Sequence, residues 1–154
     1  MSLATLEQVA QLRAGRVLVT TNGVFDLVHA GHVALLEEAK GLGDVLVVAL
    51  NSDLSAQGLG KGAGRPYVGL EHRARVVAAL RCVDAVVSFD EPTPEEILAA
   101  LRPDVHVKGG DYKADDLPER RVVEEGGGRV AVLPYVEGFS TTAIIERIAA
   151  SLGD

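Results

Sequence analysis

An α/β domain built on a five-stranded parallel sheet, doubly wound with helices on both faces, is the fold this sequence predicts. Two observations carry the prediction. Short valine-rich apolar runs recur at Arg16–Thr21, Asp44–Leu50, Asp84–Phe89, Asp104–Val107 and Arg129–Leu133. Each is continuous and bounded by Gly, Asp, Asn or Pro, the pattern of strands buried on both faces. Between them lie segments whose apolar residues repeat every three or four positions, as on one face of a helix. Alternation in this order joins parallel strands through right-handed crossovers. A chain of 154 residues, 47% apolar and 24% charged, is enough for one core, so residues 1–154 read as a single domain with a helical N-terminal extension over 1–14.

Taken in order, the first strand at 16–21 leads into a helix over Gly31–Lys40, whose inner face carries Val33, Leu35, Leu36 and Ala39. After the second strand, Ser52 to Tyr67 contains Gly58, Gly60, Gly62 and Gly64 with Lys61 and Arg65, and reads as one long, mobile loop. A helix over Leu70–Arg81 presents Val76, Val77 and Leu80. The third strand precedes Thr93-Pro94 and Glu96, a capping-box pattern with proline at the first helical position, which predicts a helix over Pro94–Leu101. Between the last two strands, Asp115, Asp116, Glu124 and Glu125 read as solvated helix or turn charges. The final helix, Thr141–Leu152, carries Ile144, Ile145, Ile148 and Leu152. There is no internal repeat and no composition break of the kind that marks a linker.

Charge and composition exclude several functions. Fifteen basic against 22 acidic residues leave a net charge of −7, with no overall positive field for a nucleic-acid backbone. Apolar runs such as Val45–Leu50 fall far short of the roughly 20 residues that cross a bilayer. The opening MSLATLEQ has neither a basic nor an apolar leader region, so the expected location is the cytoplasm. Cys82 is the single cysteine, which excludes an internal disulfide and reads as a core filler in a reducing compartment. Only 4% aromatic residues and no tryptophan argue against a flavodoxin-like electron carrier.

In a sheet of this kind ligands gather beyond the carboxyl ends of the strands, so the loops starting at Asn22, Asn51, Asp90, Lys108 and Pro134 are where chemistry is expected. The first of these is the most informative: Asn22-Gly23-Val24-Phe25-Asp26-Leu27-Val28-His29-Ala30-Gly31-His32. Two histidines three positions apart share one face of a helix start. There, unpaired N–H groups and the positive dipole end favour a phosphate, imidazole donors add directed hydrogen bonds, and Gly31 would let the phosphate come close to the backbone. Zinc is a poorer reading, because no further ligands stand at a suitable spacing. Gly58 to Ala63 fits GxGxxA but lies outside the first strand-turn-helix unit, and Gly60-Lys61-Gly62 is not a Walker A. His72, on an exposed helix face, and His106, inside a strand, read as ordinary structural residues.

The segment GVFDLVHAGH resembles the GxFDxxHxGH signature of the nucleotidyltransferase superfamily, whose Rossmann-like fold carries transfer of a nucleoside monophosphate from a triphosphate onto a phosphate acceptor. Val107-Lys108-Gly109-Gly110-Asp111-Tyr112 and Glu137-Gly138-Phe139-Ser140-Thr141-Thr142 stand at the matching loops after the fourth and fifth strands. Together with Asn51-Ser52-Asp53 and Gly64-Arg65-Pro66 they resemble the ADP-heptose-forming adenylyltransferases of that superfamily, from about Leu12 to Ile148. The resemblance implies transfer of AMP from ATP, with Mg²⁺, to a sugar 1-phosphate such as D-glycero-β-D-manno-heptose 1-phosphate, for lipopolysaccharide core synthesis. It implies His29, His32 and Lys61 as catalytic residues. Gly23, Val24, Phe25, Lys108, Gly109, Asp111, Ser140, Thr141 and Thr142 join the histidines around the nucleotide. Asp26, Asn51, Asp53, Lys61, Arg65 and Arg73 are implied toward the acceptor, and no residues for a resident metal. A separate sugar kinase is expected as pathway partner, and homo-oligomerisation stays open.

Two departures bear on the nucleotide. Cytidylyltransferases of the superfamily read RTEGISTT where this chain has Tyr135 in place of the arginine, and GDD where it has Gly109-Gly110-Asp111. Both favour ATP over CTP. A cytidylyltransferase for glycerol 3-phosphate or another alcohol phosphate, an adenylyltransferase making a cofactor, and a non-catalytic nucleotide-binding module remain the alternatives.

Overall fold

The computed structural model describes residues 2–153. In chain order the elements are α1 (Leu6–Arg13), β1 (Leu18–Gly23), α2 (Ala30–Lys40), β2 (Val45–Asn51), α3 (Asp53–Gln57), α4 (Leu70–Ala78), β3 (Ala85–Phe89), α5 (Glu95–Leu101), β4 (Val105–Gly109), a 3₁₀ turn (Ala114–Asp116), α6 (Arg120–Glu125), β5 (Arg129–Leu133) and α7 (Thr141–Leu152). The five strands form one wholly parallel sheet in the order β3-β2-β1-β4-β5. The chain therefore builds outward from β1 to β3, then crosses back and builds outward again through β4 and β5. The point of reversal lies between β1 and β4, where the register pairs Thr20 with His106 and Thr21 with Val107. A crevice opens at the carboxyl ends of such a strand pair.

Side chains alternate across the sheet, so each face has its own core. One face packs Val19, Leu46, Val48, Leu50, Val105 and Val107 against Leu36 and Ala39 of α2 and Ala74 and Val77 of α4. The other packs Leu18, Val45, Val47, Ala49, Val87 and Phe89 against Val9 of α1 and Leu101 of α5. α1 realises the expected N-terminal extension: Thr5 caps it by accepting from the Gln8 N–H, and Gln8 accepts in return from the Thr5 N–H.

Several boundaries differ from the sequence expectation. The stretch 52–67 is not one loop, because Ser52 caps a short helix, α3, by accepting from the Ser55 N–H. The glycine-rich segment proper begins at Gly58. α4 stops at Ala78 rather than Arg81, and α2 starts one residue early. The expected Thr93 capping box does not form. Pro94 takes the flanking position with φ −82° and ψ 12°, α5 starts at Glu95, and Thr93 is one residue too far upstream to cap it. Between β4 and β5, Arg120 pairs with Asp115 and Glu124 while Arg121 pairs with Glu125. Those acidic residues are thus surface ion-pair partners, as their reading as solvated charges implied.

Candidate active site

The loop from β1 to α2 makes a compact reversal. Phe25 and Leu27 both adopt positive φ, 53° and 54°, a region that costs a non-glycine residue of order 1 kcal/mol or more. Between them Asp26 is driven inward and is only 2% exposed. Its carboxylate accepts from Arg65 Nε at 2.9 Å, from the Tyr67 N–H at 2.9 Å and from the Val68 N–H at 3.1 Å. Its own carbonyl accepts from Thr141 Oγ1 at 2.9 Å. Asp26 therefore ties the glycine-rich segment and the start of α7 to the first loop. Gly23 is required because the Phe25 ring lies 2.9 Å from where a Cβ would stand.

The two histidines cap α2. His29 is the N-cap, its Nδ1 accepting from the Gly31 N–H at 3.1 Å, and His32 Nδ1 accepts from the His29 N–H at 3.1 Å. Their ring centroids lie 4.0 Å apart, and the buried Phe25 ring stands 5.2 Å from His32. An Nδ1 that accepts carries no proton, so each neutral ring has its proton on Nε2, directed away from the helix. Burial, then His29 and Lys61, push the His32 pKa down to about 4, and burial lowers that of His29. Both rings are thus neutral Nε2–H donors at physiological pH. The reading of these histidines as ordinary caps is met by their Nδ1 edges, which leaves the Nε2 edges unspent. Gly31 does leave space, but protein fills it: a Cβ there would stand 2.8 Å from Phe139 Cβ and 2.9 Å from His29 Cε1.

The basic residues divide into two kinds. Arg73 is 1% exposed, with Nε on the Val68 carbonyl, Nη1 on the Val24 and Asn51 carbonyls, and Nη2 on Asp53 Oδ1. Four of its five N–H donors are spent within the protein. This departs from the expected acceptor contact: Arg73 braces the loops from beneath. Asp53 and Asn51 belong to the same brace, since Asp53 Oδ1 also accepts from the Leu70 N–H at the start of α4 and Asn51 Nδ2 donates to Ser55 Oγ. Arg65 is held by Asp26 and lies 5.4 Å over the Tyr67 ring. Lys61, by contrast, is exposed. Its ammonium is held below the ordinary lysine value, first by desolvation and then by the charges of Arg65 and Lys108. Lys108 is the penultimate residue of β4, three-quarters covered, with its ammonium 5.5 Å over the Tyr112 ring.

The remaining predicted residues lie around the same edge. Ser140 caps α7 by accepting from the Ala143 N–H, Thr141 is tied to Asp26, and Thr142 is exposed. A Cβ on Gly109 would meet Leu35 at 2.9 Å. Gly110 has φ +126°, and a Cβ there would meet the Tyr135 and Tyr112 rings at 2.9 and 3.0 Å. An aspartate at Gly110 has neither the backbone nor the room. Asp111 is exposed beside them. Sequence reasoning missed Phe139, whose ring stacks 6.2 Å from His29, and Glu119, which is 1% exposed. Glu119 gives no signal in sequence, where it reads as one more surface acid before two arginines.

Comparison with known proteins places the chain. The family model described as Cytidylyltransferase-like matches residues 20–147. D-beta-D-heptose 1-phosphate adenylyltransferase of Bordetella bronchiseptica is 51% identical over 95% of this chain and 92% of its own length. The bifunctional protein HldE of Streptomyces coelicolor is 55% identical over 91% of this chain, but the match spans 30% of that longer protein. Among solved structures, a lipopolysaccharide core biosynthesis protein from Thermoplasma volcanium superposes with a TM-score of 0.66 at 30% identity, covering 79% of this chain and 98% of that one. Pantothenate synthetase from Thermus thermophilus, 16% identical with a TM-score of 0.57 over 87% of this chain and 61% of its own, shares the fold.

Proposed function

This chain belongs to the cytidylyltransferase-like family of nucleotidyltransferases, and from that premise we propose that it transfers AMP from ATP to D-glycero-β-D-manno-heptose 1-phosphate, giving ADP-heptose and pyrophosphate. The observation that carries the reading is the histidine pair, whose Nδ1 edges are spent on the α2 backbone so that two Nε2–H donors stand at a helix N-terminus. That arrangement suits a triphosphate.

The acceptor phosphate oxygen attacks the α-phosphorus in line, the bond from that phosphorus to the bridging oxygen breaks, and the electron pair leaves on pyrophosphate. The acceptor is already an anion, so placement and charge stabilisation suffice and no general base is needed. His29, His32 and Lys61 act on the charge that develops on the α-phosphoryl and leaving groups. Gly23, Val24, Phe25, Lys108, Gly109, Asp111 and the Ser140–Thr142 turn surround the nucleotide. Asp26, Asn51, Asp53 and Arg73 act by holding the loops, and Arg65 reaches toward the acceptor from its anchor on Asp26. Mg²⁺ enters with the substrate, on the triphosphate oxygens, as is usual for nucleoside triphosphates. Gly110 and Tyr135 favour ATP, because the glycine leaves the two tyrosine rings where a cytidylyltransferase would set an acidic group. The acceptor is a sugar phosphate that a kinase reaction must supply.

The test is a matrix of ATP and CTP against heptose 1-phosphate and glycerol 3-phosphate, followed by pyrophosphate release and mass spectrometry of the product. ADP-heptose from the first pair alone is expected. Turnover of CTP with glycerol 3-phosphate, or none at all, overturns the reading.

A further inference from the structure

We propose that Glu119 is a positioning residue of this site, its buried carboxylate fixing the Lys108 ammonium at the carboxyl end of β4 without consuming that ammonium's hydrogen bonds. The inference rests on the reading of Lys108 as a phosphate contact.

Glu119 flanks the N-terminus of α6, where a glutamate ordinarily extends into water or caps the helix. It does neither: its side chain makes no capping bond and is 2% exposed. The carboxylate points inward, with Oε1 3.4 Å from Lys108 Nζ and 3.8 Å from His106 Nε2. Neither Glu119 Oε1 nor His106 Nε2 has a hydrogen-bond partner among the described residues. His106 is fully buried, and its Nδ1 lies 2.8 Å from Thr20 Oγ1. Thr20 and His106 are register partners on β1 and β4, and Lys108 follows two residues along on the same face. The cluster thus forms a column rising from the interior to the catalytic edge, at the strand pair where the topology reverses.

A buried carboxylate is costly unless a positive charge compensates it. Burial and Lys108 hold the His106 imidazole neutral, its pKa pushed down to about 3, so the compensating charge is that of Lys108. Arg73 is locked in bonds of 2.7–2.9 Å that leave one of its five donors, and Arg65 is anchored on Asp26 through Nε. Among the described residues Lys108 makes no side-chain hydrogen bond; its ammonium is attracted at 3.4 Å and lies 5.5 Å over the Tyr112 ring. Its four-carbon stem would otherwise sample many rotamers. Here it is preset while its three donors stay free.

The sign of the effect separates this role from its rival. Were Glu119 only a neighbouring negative charge, removing it would tighten the binding of an anion; if it positions Lys108, removing it weakens binding. The experiment compares Glu119→Gln, Lys108→Met and the double variant by calorimetric titration of α,β-methylene-ATP, with thermal midpoints alongside. Glu119→Gln should weaken binding roughly tenfold with the midpoint shifted by only a few degrees, and should have no further effect in the Lys108→Met background. Unchanged or tighter binding, or full additivity in the double variant, overturns the proposal. If Glu119→Gln fails to fold, Glu119→Asp takes its place under the same two outcomes, since it keeps the charge but withdraws it by one methylene. The titration needs no acceptor, so an enzyme acting on a different phosphate leaves it valid. A wild-type chain that does not bind the analogue overturns both readings.

Discussion

The two edges of His32 can be removed one at a time. Its Nδ1 accepts the His29 N–H at 3.1 Å and so completes the α2 cap, while Nε2–H is the donor that the proposed function assigns to substrate. His32→Ala deletes both. Loss of a cap costs about 1 kcal/mol, and at roughly 2–4 °C per kcal/mol for a chain of this size the melting midpoint should fall by only a few degrees. Loss of a preorganised donor costs about 3–4 kcal/mol of barrier, so kcat should fall by about 10²–10³. His32→Asn places an amide oxygen where Nδ1 was but does not reach the Nε2 position, and should restore the midpoint without restoring kcat. His32→Gln reaches the Nε2 position and should recover part of kcat while melting like the alanine variant. The assays are pyrophosphate release at saturating substrates and thermal denaturation by circular dichroism. Activity of His32→Ala within threefold of wild type, or recovery of kcat in His32→Asn, would refute the division of labour.

Gly31→Ala should lower kcat by about tenfold with the midpoint nearly unchanged, because overpacking against Phe139 and His29 is offset by alanine's better helix propensity; a wild-type rate would show that His29 tolerates displacement. Arg73→Lys should lower the unfolding free energy by about 3 kcal/mol or more in urea titrations, since an ammonium cannot serve acceptors spread around a planar fork. A near-normal midpoint with a selective tenfold rise in acceptor KM would instead put that guanidinium on the substrate. Stability should also fall with pH. His106 and His32 have native pKa values near 3 and 4, below the unfolded 6.5, so between these limits the unfolded chain binds more protons and stability is lost as pH drops. His106 alone contributes up to about 2 kcal/mol of loss by pH 5, and the partly open His32 less. Urea titrations at pH 7 and 5 should show the difference and His106→Asn should reduce it; a flat wild-type profile would contradict neutral burial.

What could be read in the sequence was whatever neighbouring residues decide among themselves. The five strands announce themselves by continuous apolar runs, although β5, read as buried on both faces, lies at the sheet edge with none of its residues buried, and the histidine pair by a spacing that one turn of helix satisfies internally. α3 was hidden although its Ser52 cap is a local signal, because the glycines that follow dominate the segment. Thr93 misled for the opposite reason: its pattern is right, but Pro94 takes the cap position one residue later. Partnerships across the chain were not legible. Asp26 with Arg65, Arg73 with the Val24 carbonyl, and Lys108 with Glu119 join residues whose types alone cannot say whether a charge turns inward or out. Hence Arg73 looked like a ligand and Glu119 like surface.

Those inward partnerships explain how an acidic chain presents a basic site. The net charge is −7, yet His29, His32, Lys61, Arg65 and Lys108 gather at one edge of the sheet. Gathering them is self-repulsive, and that repulsion adds to the burial that chiefly depresses Lys61 and His32. Three devices offset it. Buried carboxylates of Asp26 and Glu119 sit behind Arg65 and Lys108, so the excess charge faces outward. The histidines stay neutral and offer N–H dipoles rather than charges. The Thr141 hydroxyl on the Asp26 carbonyl draws the N-terminus of α7 toward that of α2, adding backbone N–H groups that attract an anion without titrating. On the proposed function, a triphosphate would relieve that repulsion, and an anion with several charged oxygens would relieve more of it than a small one.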